Sequence, residues 1–302
     1  MTLTFGFSQE DGNAVRNYID LSQSASLVSR RFYRQGLDWA VQSIRIYCNK
    51  SAFVRIEKIP SSWVAYAAWK KAMTNWLRQQ NEALDQSGDV TQAAKFRDFK
   101  IYADVQHVTA GFGANLLPGT HSGSFLTGEW QPSQIVIPNA GAPGVNDERY
   151  LHMVGINFNN PGSSRGIIAG YESSRNYPQS PDPANPSLGS TNNWFAQMFD
   201  SGDNVTDVLV NATANNDELP YDQDNYPGGD GNAGELEYHD MVSIFSSSGT
   251  DNIGVQTAKG GSFPCGLIAI NAGAGQAADY IVQVNLMPGN HRGYLARKMQ
   301  DV

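Results

Sequence analysis

The sequence has few cysteines and no long apolar run. Its 302 residues contain two cysteines, Cys48 and Cys265. Both lie within apolar strand patterns, which predicts buried thiols in a reducing compartment rather than a structural disulfide. No apolar run approaches the roughly 20 residues that a membrane span needs, and residues 1–10 lack the basic start and apolar core of a signal peptide. These absences predict a soluble, unsecreted protein without membrane insertion.

Local signatures of enzymes and metal sites are scarce as well. The sequence lacks the phosphate-loop pattern G-x-x-x-x-G-K-[ST], the zinc pattern H-E-x-x-H and the redox or metal pattern C-x-x-C. Its five histidines never occur two or four residues apart, so a metal could only be held by histidines from distant parts of the chain. We predict a protein that is not an enzyme, uses no cofactor and holds no metal.

Two loops resemble ligand motifs only in part. Residues Gly273–Ala278 match G-x-G-x-x-A, but the following Tyr280–Leu286 alternates like a strand. Without a helix there is no dipole to hold a pyrophosphate, so a flexible hairpin loop is favoured. The acidic stretch 217–230 has enough oxygen ligands for calcium, but their order departs from the EF-hand spacing. We therefore expect a solvated loop at this stretch, and an interfacial calcium site is the alternative.

Charge is distributed unevenly along the chain. Residues 1–100 carry 14 Lys/Arg and 9 Asp/Glu, a net charge of +5, whereas residues 101–302 carry 7 and 20, a net charge of −13. The two parts therefore face different partners or different sides of an assembly. A positive end in an acidic protein is compatible with nucleic acid lying against one surface.

The stretch Leu37–Leu84 contains the strongest local patterns. Leu37–Lys50 and Ala52–Ile59 alternate like strands, and the second is expected nearer a sheet edge. Pro60 closes that strand, serines follow, and large apolar residues then recur at steps of three and four, which predicts an inserted helix near residues 62–86. Four of the six tryptophans fall in this stretch, so the helix should lie over a sheet or against a neighbouring subunit.

Most of the remaining chain resembles short strands joined by loops rich in glycine, proline and asparagine. No linker divides it, and few helix patterns separate the strands. We therefore predict an all-β fold: an antiparallel, eight-stranded jelly-roll sandwich over residues 37–302, with long loops 171–193 and 212–234. Residues 1–36 have no sustained period and are predicted to form a partly basic N-terminal arm. Further strand candidates are Phe99–Val108, Ser124–Trp130, Gln134–Ile137, Tyr150–Phe158, Arg165–Tyr171, Val205–Val210, Glu235–Phe245, Ile253–Thr257, Cys265–Asn271 and Tyr280–Met287.

The best nucleic-acid candidates are Arg16, Arg30, Arg31 and Arg34. Arginine can form paired hydrogen bonds with phosphate and can stack on bases. The aromatic residues Phe32 and Tyr33 lie between the last three of these arginines. The same arginines could instead pair with the acidic part of a neighbouring subunit, and the sequence leaves both interpretations open.

Three segments resemble a known family. Leu27–Gly36, Ile59–Lys70 and Val282–Ala296, the last with its Pro288-Gly289 step, are similar to the capsid proteins of small circular single-stranded DNA viruses that encode a rolling-circle replication protein, the CRESS-DNA viruses. The first two segments flank the strands described above, and the third looks like the closing strand of those capsids. Unlike most members of that family, this chain has no long Arg/Lys-rich arm.

The resemblance implies a structural protein. About 60 copies of one jelly roll would form an icosahedral shell around a circular single-stranded DNA genome. The protein would reside in the virion, and in the host nucleus or cytoplasm during assembly, and it would meet a host-cell receptor. The alternatives are a carbohydrate-binding, lectin-like β-sandwich and a glycosidase on a sandwich, which would need two carboxylates across a groove.

Overall fold

A computed structural model describes residues 1–10, 13–88, 94–139, 142, 144–157, 164–175, 234–245 and 253–302. The chain divides into two compact units, one formed by Met1–Tyr171 with Gly231–Val302 and the other by Glu172–Asp230. Nearly all described residues belong to the first unit. The predicted loops 171–193 and 212–234, the strand Val205–Val210 and the acidic stretch 217–230 lie wholly or almost wholly outside the described residues.

Strands dominate the described part of the chain. In chain order the elements are β1 (Thr2–Gln9), β2 (Val15–Asp20), α1 (Leu21–Ser29), β3 (Leu37–Cys48), β4 (Ala52–Lys58), α2 (Trp63–Ser87), α3 (Val105–Ala110), β5 (Gly119–Thr120), β6 (Gly123–Ser124), β7 (Gln134–Pro138), β8 (Asn146–His152), β9 (Ser164–Gly166), α4 (Ile167–Ser173), β10 (Glu237–Ile244), β11 (Gly254–Phe263), β12 (Leu267–Ala274), β13 (Ala278–Leu286), β14 (Pro288–Gly289), β15 (Gly293–Tyr294) and β16 (Ala296–Lys298).

Two antiparallel sheets form the body of the protein, so the all-β prediction is confirmed. The first sheet has the order β1-β13-β3-β11, and β16 adds to one end of β3. The second sheet has the order β10-β4-β12-β2. A smaller sheet, β7-β8-β9, contains one parallel pair, β8 with β9. Strand β4 was expected near an edge but is an interior strand between β10 and β12.

The main core lies between the two large sheets. Phe5 of β1 lies opposite Val282 of β13, which in turn lies opposite Ile46 of β3, and all three are fully buried. The second sheet contributes pairs such as Ile56 with Ile270 to the same core. Alternating apolar residues place one face of each sheet in this layer. Each fully buried side chain of this size contributes about 1.5–3 kcal/mol.

Helix α2 covers part of the other face of the second sheet. It matches the predicted helix, and Ser62 caps it by accepting a hydrogen bond from the Ala65 N–H at 3.2 Å. Trp69 and Trp76 are buried and contact Phe99 with ring centroids 5.9 and 5.5 Å away. The second sheet therefore lies between two apolar layers, with the first sheet on one side and α2 on the other.

The close approach of α2 to the start of β3 gives a testable prediction. A Cβ added to Gly36 would lie 2.6 Å from two ring carbons of Trp69, a large buried side chain. We expect Gly36→Ala to lower the free energy of unfolding by about 1–3 kcal/mol through overpacking, measured as a lower midpoint in urea. The matched control is Gly275→Ala, where an added Cβ meets nothing within 4 Å. Equal midpoints for the two variants would contradict the overpacking.

The prediction of an N-terminal arm is wrong for most of residues 1–36. Strand β1 pairs with β13 along its whole length, and β2 pairs with β12. Leu3 and Phe5 alternate with threonine and glycine, and both are buried in the main core. The alternation in β1 is short, but the hydrogen bonds to β13 stabilise this segment as a strand. Only the segment after α1, residues 30–36, retains the exposed basic character that was predicted for the arm.

Several predicted strands end earlier or are helical. The segment predicted as the strand Phe99–Val108 instead runs into helix α3, because Asp104 caps the His107 N–H at 2.8 Å. The predicted strand Arg165–Tyr171 is the short β9 followed by α4, and Tyr150–Phe158 corresponds to the end of β8. In Ser124–Trp130 only Ser124 belongs to a strand, β6. Only parts of these segments pair: Tyr150–His152 belongs to β8, Arg165–Gly166 belongs to β9, and Tyr102 forms an isolated bridge with His152.

Candidate nucleic-acid interface

The segment that follows α1 presents three of the four predicted arginines. Arg30 takes a left-handed backbone conformation, φ 54°, which ends the helix and turns the chain. Tyr33 is 2% exposed, its N–H donates to Ser26 Oγ at 2.9 Å, and its ring contacts Trp39. Because Tyr33 points into the core, Arg31 and Arg34 on either side of it are exposed. One buried aromatic side chain thus holds an exposed basic segment in place.

Aromatic rings surround this segment. Phe32 lies 5.5 Å from Phe96 and 6.1 Å from Trp130, measured between ring centroids. Phe96 is 62% exposed, and Phe32 is partly exposed. Exposed rings of this kind can stack with unpaired bases, and each such stack contributes about 1–3 kcal/mol.

Cations lie over or beside these rings. Arg34 is 5.7 Å from the Phe32 ring, Lys100 is 4.7 Å from the Trp130 ring and Arg30 is 5.6 Å from the Phe125 ring. Arg292, from the distant end of the chain, donates to the Phe32 carbonyl oxygen at 2.7 Å. We call the whole set the basic-aromatic cluster: Arg30, Arg31, Phe32, Arg34, Lys95, Phe96, Arg97, Lys100, Phe125, Trp130 and Arg292.

Few carboxylates oppose this charge. The cluster has seven cations, and the carboxylates in or directly beneath it are those of Asp20, Asp98 and Glu129, so the sum is 7 − 3 = +4. Asp98 lies 3.5 Å from Arg34 Nη1, and burial raises the pKa of its carboxyl. Burial also lowers the pKa of Lys100. A surface with this excess of exposed cations attracts a polyanion.

A fully buried carboxylate lies beneath the cluster and ties its parts together. Asp20 accepts hydrogen bonds from the N–H groups of Ser22 and Gln23, from Gln35 Nε2 at 2.9 Å and from Trp130 Nε1 at 3.1 Å. Gln35 is in turn bound to both backbone groups of Ile101. Desolvation raises the pKa of Asp20 to about 6. The start of α1, the arginine segment and the loop of Trp130 are thereby held in one arrangement.

Arg16, the fourth predicted arginine, lies elsewhere. It is on β2 in the second sheet, where Nη2 lies 2.9 Å from Glu57 Oε2 and 2.7 Å from Asp104 Oδ2. The Tyr18 hydroxyl donates to the other oxygen of Asp104 at 2.7 Å. Two carboxylates within the same chain therefore neutralise Arg16, and it shares no contact with the basic-aromatic cluster. A role of Arg30, Arg31 and Arg34 in binding nucleic acid stays a prediction, and the geometry does not favour that role for Arg16.

The other residues of the cluster were not predicted from the sequence. Lys95, Phe96 and Arg97 alternate charge and aromatic character in the same way as Arg31, Phe32 and Arg34, and this local signal could have been found. Arg292 could not, because it lies 260 residues from Phe32 in the sequence.

Other chemical motifs have structural explanations. Residues 162–166 match the nucleophile pattern G-x-S-x-G, but Ser164 is fully buried at the start of β9 rather than exposed on a strand-to-helix turn. The loop within Gly273–Ala278 is not followed by a helix, as predicted, although it connects β12 of the second sheet to β13 of the first instead of forming a hairpin. Cys48 and Cys265 are buried free thiols.

His107 is a satisfied core histidine. Its Nδ1 accepts a hydrogen bond from the Ala103 N–H at 3.1 Å, so Nε2 carries the proton and donates to Asn115 Oδ1 at 2.7 Å. Burial lowers its pKa to about 4. Across the described ranges, no group of three or more His, Cys, Asp and Glu side chains is arranged to hold a metal ion.

A scan against protein-family models finds no match for this chain, and searches of the curated proteins and of the solved structures find none either. No helix in the described part of the chain has the length and apolar character to cross a membrane. The function therefore has to be inferred from the fold and from the basic-aromatic cluster.

Proposed function

We propose that the chain is a viral capsid protein, that its two large sheets form a jelly roll, and that its copies assemble into a small icosahedral shell around a circular single-stranded DNA genome. The protein would reside in the virion and, during assembly, in the host nucleus or cytoplasm, and the shell would meet a host-cell receptor. The proposal requires no catalysis.

The pairing of the eight strands of the two large sheets supports the jelly roll. Numbered 1 to 8 in chain order, these strands are β1, β2, β3, β4, β10, β11, β12 and β13. Strand 1 pairs with 8, 2 with 7, 3 with 6, and 4 with 5. The sheets then have the orders 1-8-3-6 and 5-4-7-2. A chain folded back on itself in this way and wound into two layers gives the two Greek keys of a jelly roll, the fold of many capsid and lectin domains.

The basic-aromatic cluster is the observation that carries the nucleic-acid part of the proposal. Exposed cations beside the exposed ring of Phe96 and the partly exposed ring of Phe32 suit single-stranded nucleic acid, whose phosphates and unpaired bases are both accessible. This cluster, anchored by Tyr33 and Asp20, would hold the DNA against the protein.

The cluster predicts salt-dependent binding of single-stranded DNA. We expect the triple variant Arg30→Gln, Arg31→Gln and Arg34→Gln to bind a single-stranded oligonucleotide about 10- to 100-fold more weakly at moderate salt. It should also reduce the slope of log K against log salt by about 2, since each phosphate contact contributes about 0.7. Fluorescence anisotropy over a salt series measures both quantities.

The matched control removes the same charge from α2. Lys70, Lys71 and Arg78 lie on that helix, and replacing all three by glutamine lowers the net charge by the same amount as the arginine variant. We expect the control to retain most of the affinity and the slope. If both variants lost affinity equally, binding would depend on the overall charge of the protein and not on the cluster.

Assembly is tested directly by size-exclusion chromatography and electron microscopy of the purified protein. The ratio of absorbance at 260 and 280 nm then reports whether the particles contain nucleic acid. Particles with a high ratio support the proposal, whereas a stable monomer at high concentration rejects it.

A further inference from the structure

A second surface of unusual composition lies on the outer face of the second sheet, which points away from the first sheet, in the part that α2 does not cover. The strand register places Arg16 of β2, Asn271 of β12, Arg55 of β4 and Met241 of β10 side by side in one row across the sheet. These four residues, with Phe53 and Gln106, line a cleft of about 420 Å³. An adjoining cleft of about 280 Å³ shares Arg16, Arg55 and Gln106.

Phe53 forms a flat aromatic wall of the cleft. It lies next to Gly273 in the register of β4 and β12. A Cβ on Gly273 would lie 2.6 Å from Cζ of Phe53, and two more ring carbons would be 2.9 and 3.2 Å away. The ring therefore rests directly on the glycine backbone, and 52% of the residue is exposed. Glycine at this position allows the aromatic ring to lie flat against the sheet, with one side open.

The polar groups of the cleft are balanced in charge. Arg55 Nε lies 2.7 Å from Glu57 Oε1, and Arg16 bridges Glu57 and Asp104. The two guanidinium groups that line the larger cleft thus pair with two carboxylates beside it, and these four charges sum to zero, while Glu235 adds a negative charge to the adjoining cleft. Glu57 is 5% exposed and holds both arginines in place. A site of this kind has no electrostatic attraction for a polyanion, in contrast to the basic-aromatic cluster.

Hydrogen-bonding capacity nevertheless remains. Within the described part of the chain, the side-chain amide of Asn271 has no hydrogen-bond partner, and Arg55 uses only its Nε. Gln106, at the rim, is exposed. Amide and guanidinium groups supply several donors and acceptors in fixed directions.

We propose that this cleft binds a neutral carbohydrate with a pyranose ring. The apolar face of such a ring, which presents C–H groups, would lie on Phe53, and its hydroxyl groups would bond to Asn271, Arg55 and Gln106. A neutral polyol matches a site that combines a flat aromatic surface, unsatisfied polar groups and no net charge. The proposal does not depend on assembly into a shell, since every residue of the site belongs to one chain.

The test is saturation-transfer NMR on the purified full-length protein. The probes are methyl glycosides of glucose, galactose, mannose and N-acetylglucosamine, with N-acetylneuraminic acid and a heparin fragment as acidic probes. We expect saturation transfer to at least one neutral glycoside and titratable binding. Phe53→Ala should weaken that binding at least about tenfold, a loss of about 1.4 kcal/mol. Gly273→Ala should weaken it as well, because the added methyl displaces the ring.

The matched control is Phe96→Ala, which removes another exposed phenylalanine, 62% exposed, from the basic-aromatic cluster and should leave sugar binding unchanged. The arginine triple variant should also bind the sugar normally, which separates this proposal from the one on DNA. No transfer to any neutral glycoside, transfer only to the acidic probes, or equal binding by Phe53→Ala would each overturn the assignment.

Discussion

Replacing Trp39 by alanine is expected to lower the free energy of unfolding by about 3–5 kcal/mol, within the usual range for a large buried aromatic. Trp39 is fully buried in the main core, and its Nε1 donates to Ser22 Oγ at 2.9 Å. Its ring lies 5.7 Å from both Tyr33 and Tyr294. The truncation would leave a cavity, remove one of the hydrogen bonds of the buried Ser22 hydroxyl and take one ring contact from each tyrosine. Since the free energy of unfolding of a single domain is only about 5–15 kcal/mol, the expected loss is a large fraction of the stability.

Urea unfolding followed by far-UV circular dichroism measures the effect, and Trp63→Ala provides the matched control. Trp63 is 52% exposed at the first position of α2, so its loss should cost less than about 1 kcal/mol. Similar midpoints for the two variants would contradict the position of Trp39 at the centre of the core. Because Trp39 supports Tyr33, the same variant should also bind single-stranded DNA more weakly at temperatures where it remains folded.

Trp39 also illustrates which parts of the fold the sequence could predict. The strand from Leu37 onward alternates over twelve residues, and a pattern of that length is unambiguous. The inserted helix was equally clear, because large apolar residues recur at steps of three and four after the serines that can cap it. Strand β1 was missed because its alternation involves few large residues. Its stability depends on β13, whose pairing residues are more than 260 positions away.

Helix α3 shows a different limit. The pattern of Phe99–Val108 alternates like a strand, but Asp104 accepts the His107 N–H and starts a helix in the middle of it. A capping residue is a short-range signal, and here it outweighs the alternation around it. The buried residues of this segment face the layer beneath α2, which the sequence gives no means of locating.

Only those residues of the candidate interface that are close together in the sequence could be predicted. Arg30, Arg31 and Arg34 are close in sequence, so they remain together in any fold. Arg16 was grouped with them on charge alone, yet its partner Asp104 lies 88 residues away and neutralises it. Burial and ion pairing decide whether an arginine is available, and neither is visible without the fold. The same holds for Asn271 and Arg55, which only the strand register brings together.

The pH dependence of stability should reveal two buried groups with opposite signs. Asp20 has its pKa raised, chiefly by desolvation, from 3.8 to about 6, so the folded state holds a proton that the unfolded state has lost between those values. Its contribution to stability therefore falls as pH rises from about 4 to about 6. His107 has its pKa lowered by desolvation from 6.5 to about 4. Its contribution rises with pH over about the same interval, because there only the unfolded state binds the proton.

Two variants separate these contributions. The difference in unfolding free energy between Asp20→Asn and the unmodified protein should increase by about 3 kcal/mol from pH 4 to pH 6, since one pH unit corresponds to about 1.4 kcal/mol. The difference for His107→Gln should decrease by about as much between pH 4 and pH 6.5. Other groups whose pKa is shifted, such as Asp98, His152 and His291, are common to all three proteins and cancel in the differences.

Urea titrations at half-unit steps from pH 4 to pH 7 supply the two difference curves. Asp20→Asn should be the less stable protein at pH 4, because its amide group meets the donors of Gln35 and Trp130. The gap should narrow as the pH rises, because the unmodified protein loses the contribution of Asp20. Flat difference curves, or curves of the same sign, would show that one of the two groups is not buried as described. Opposite slopes would place Asp20 beneath the basic-aromatic cluster as a carboxyl that titrates near pH 6 and is held by four hydrogen bonds.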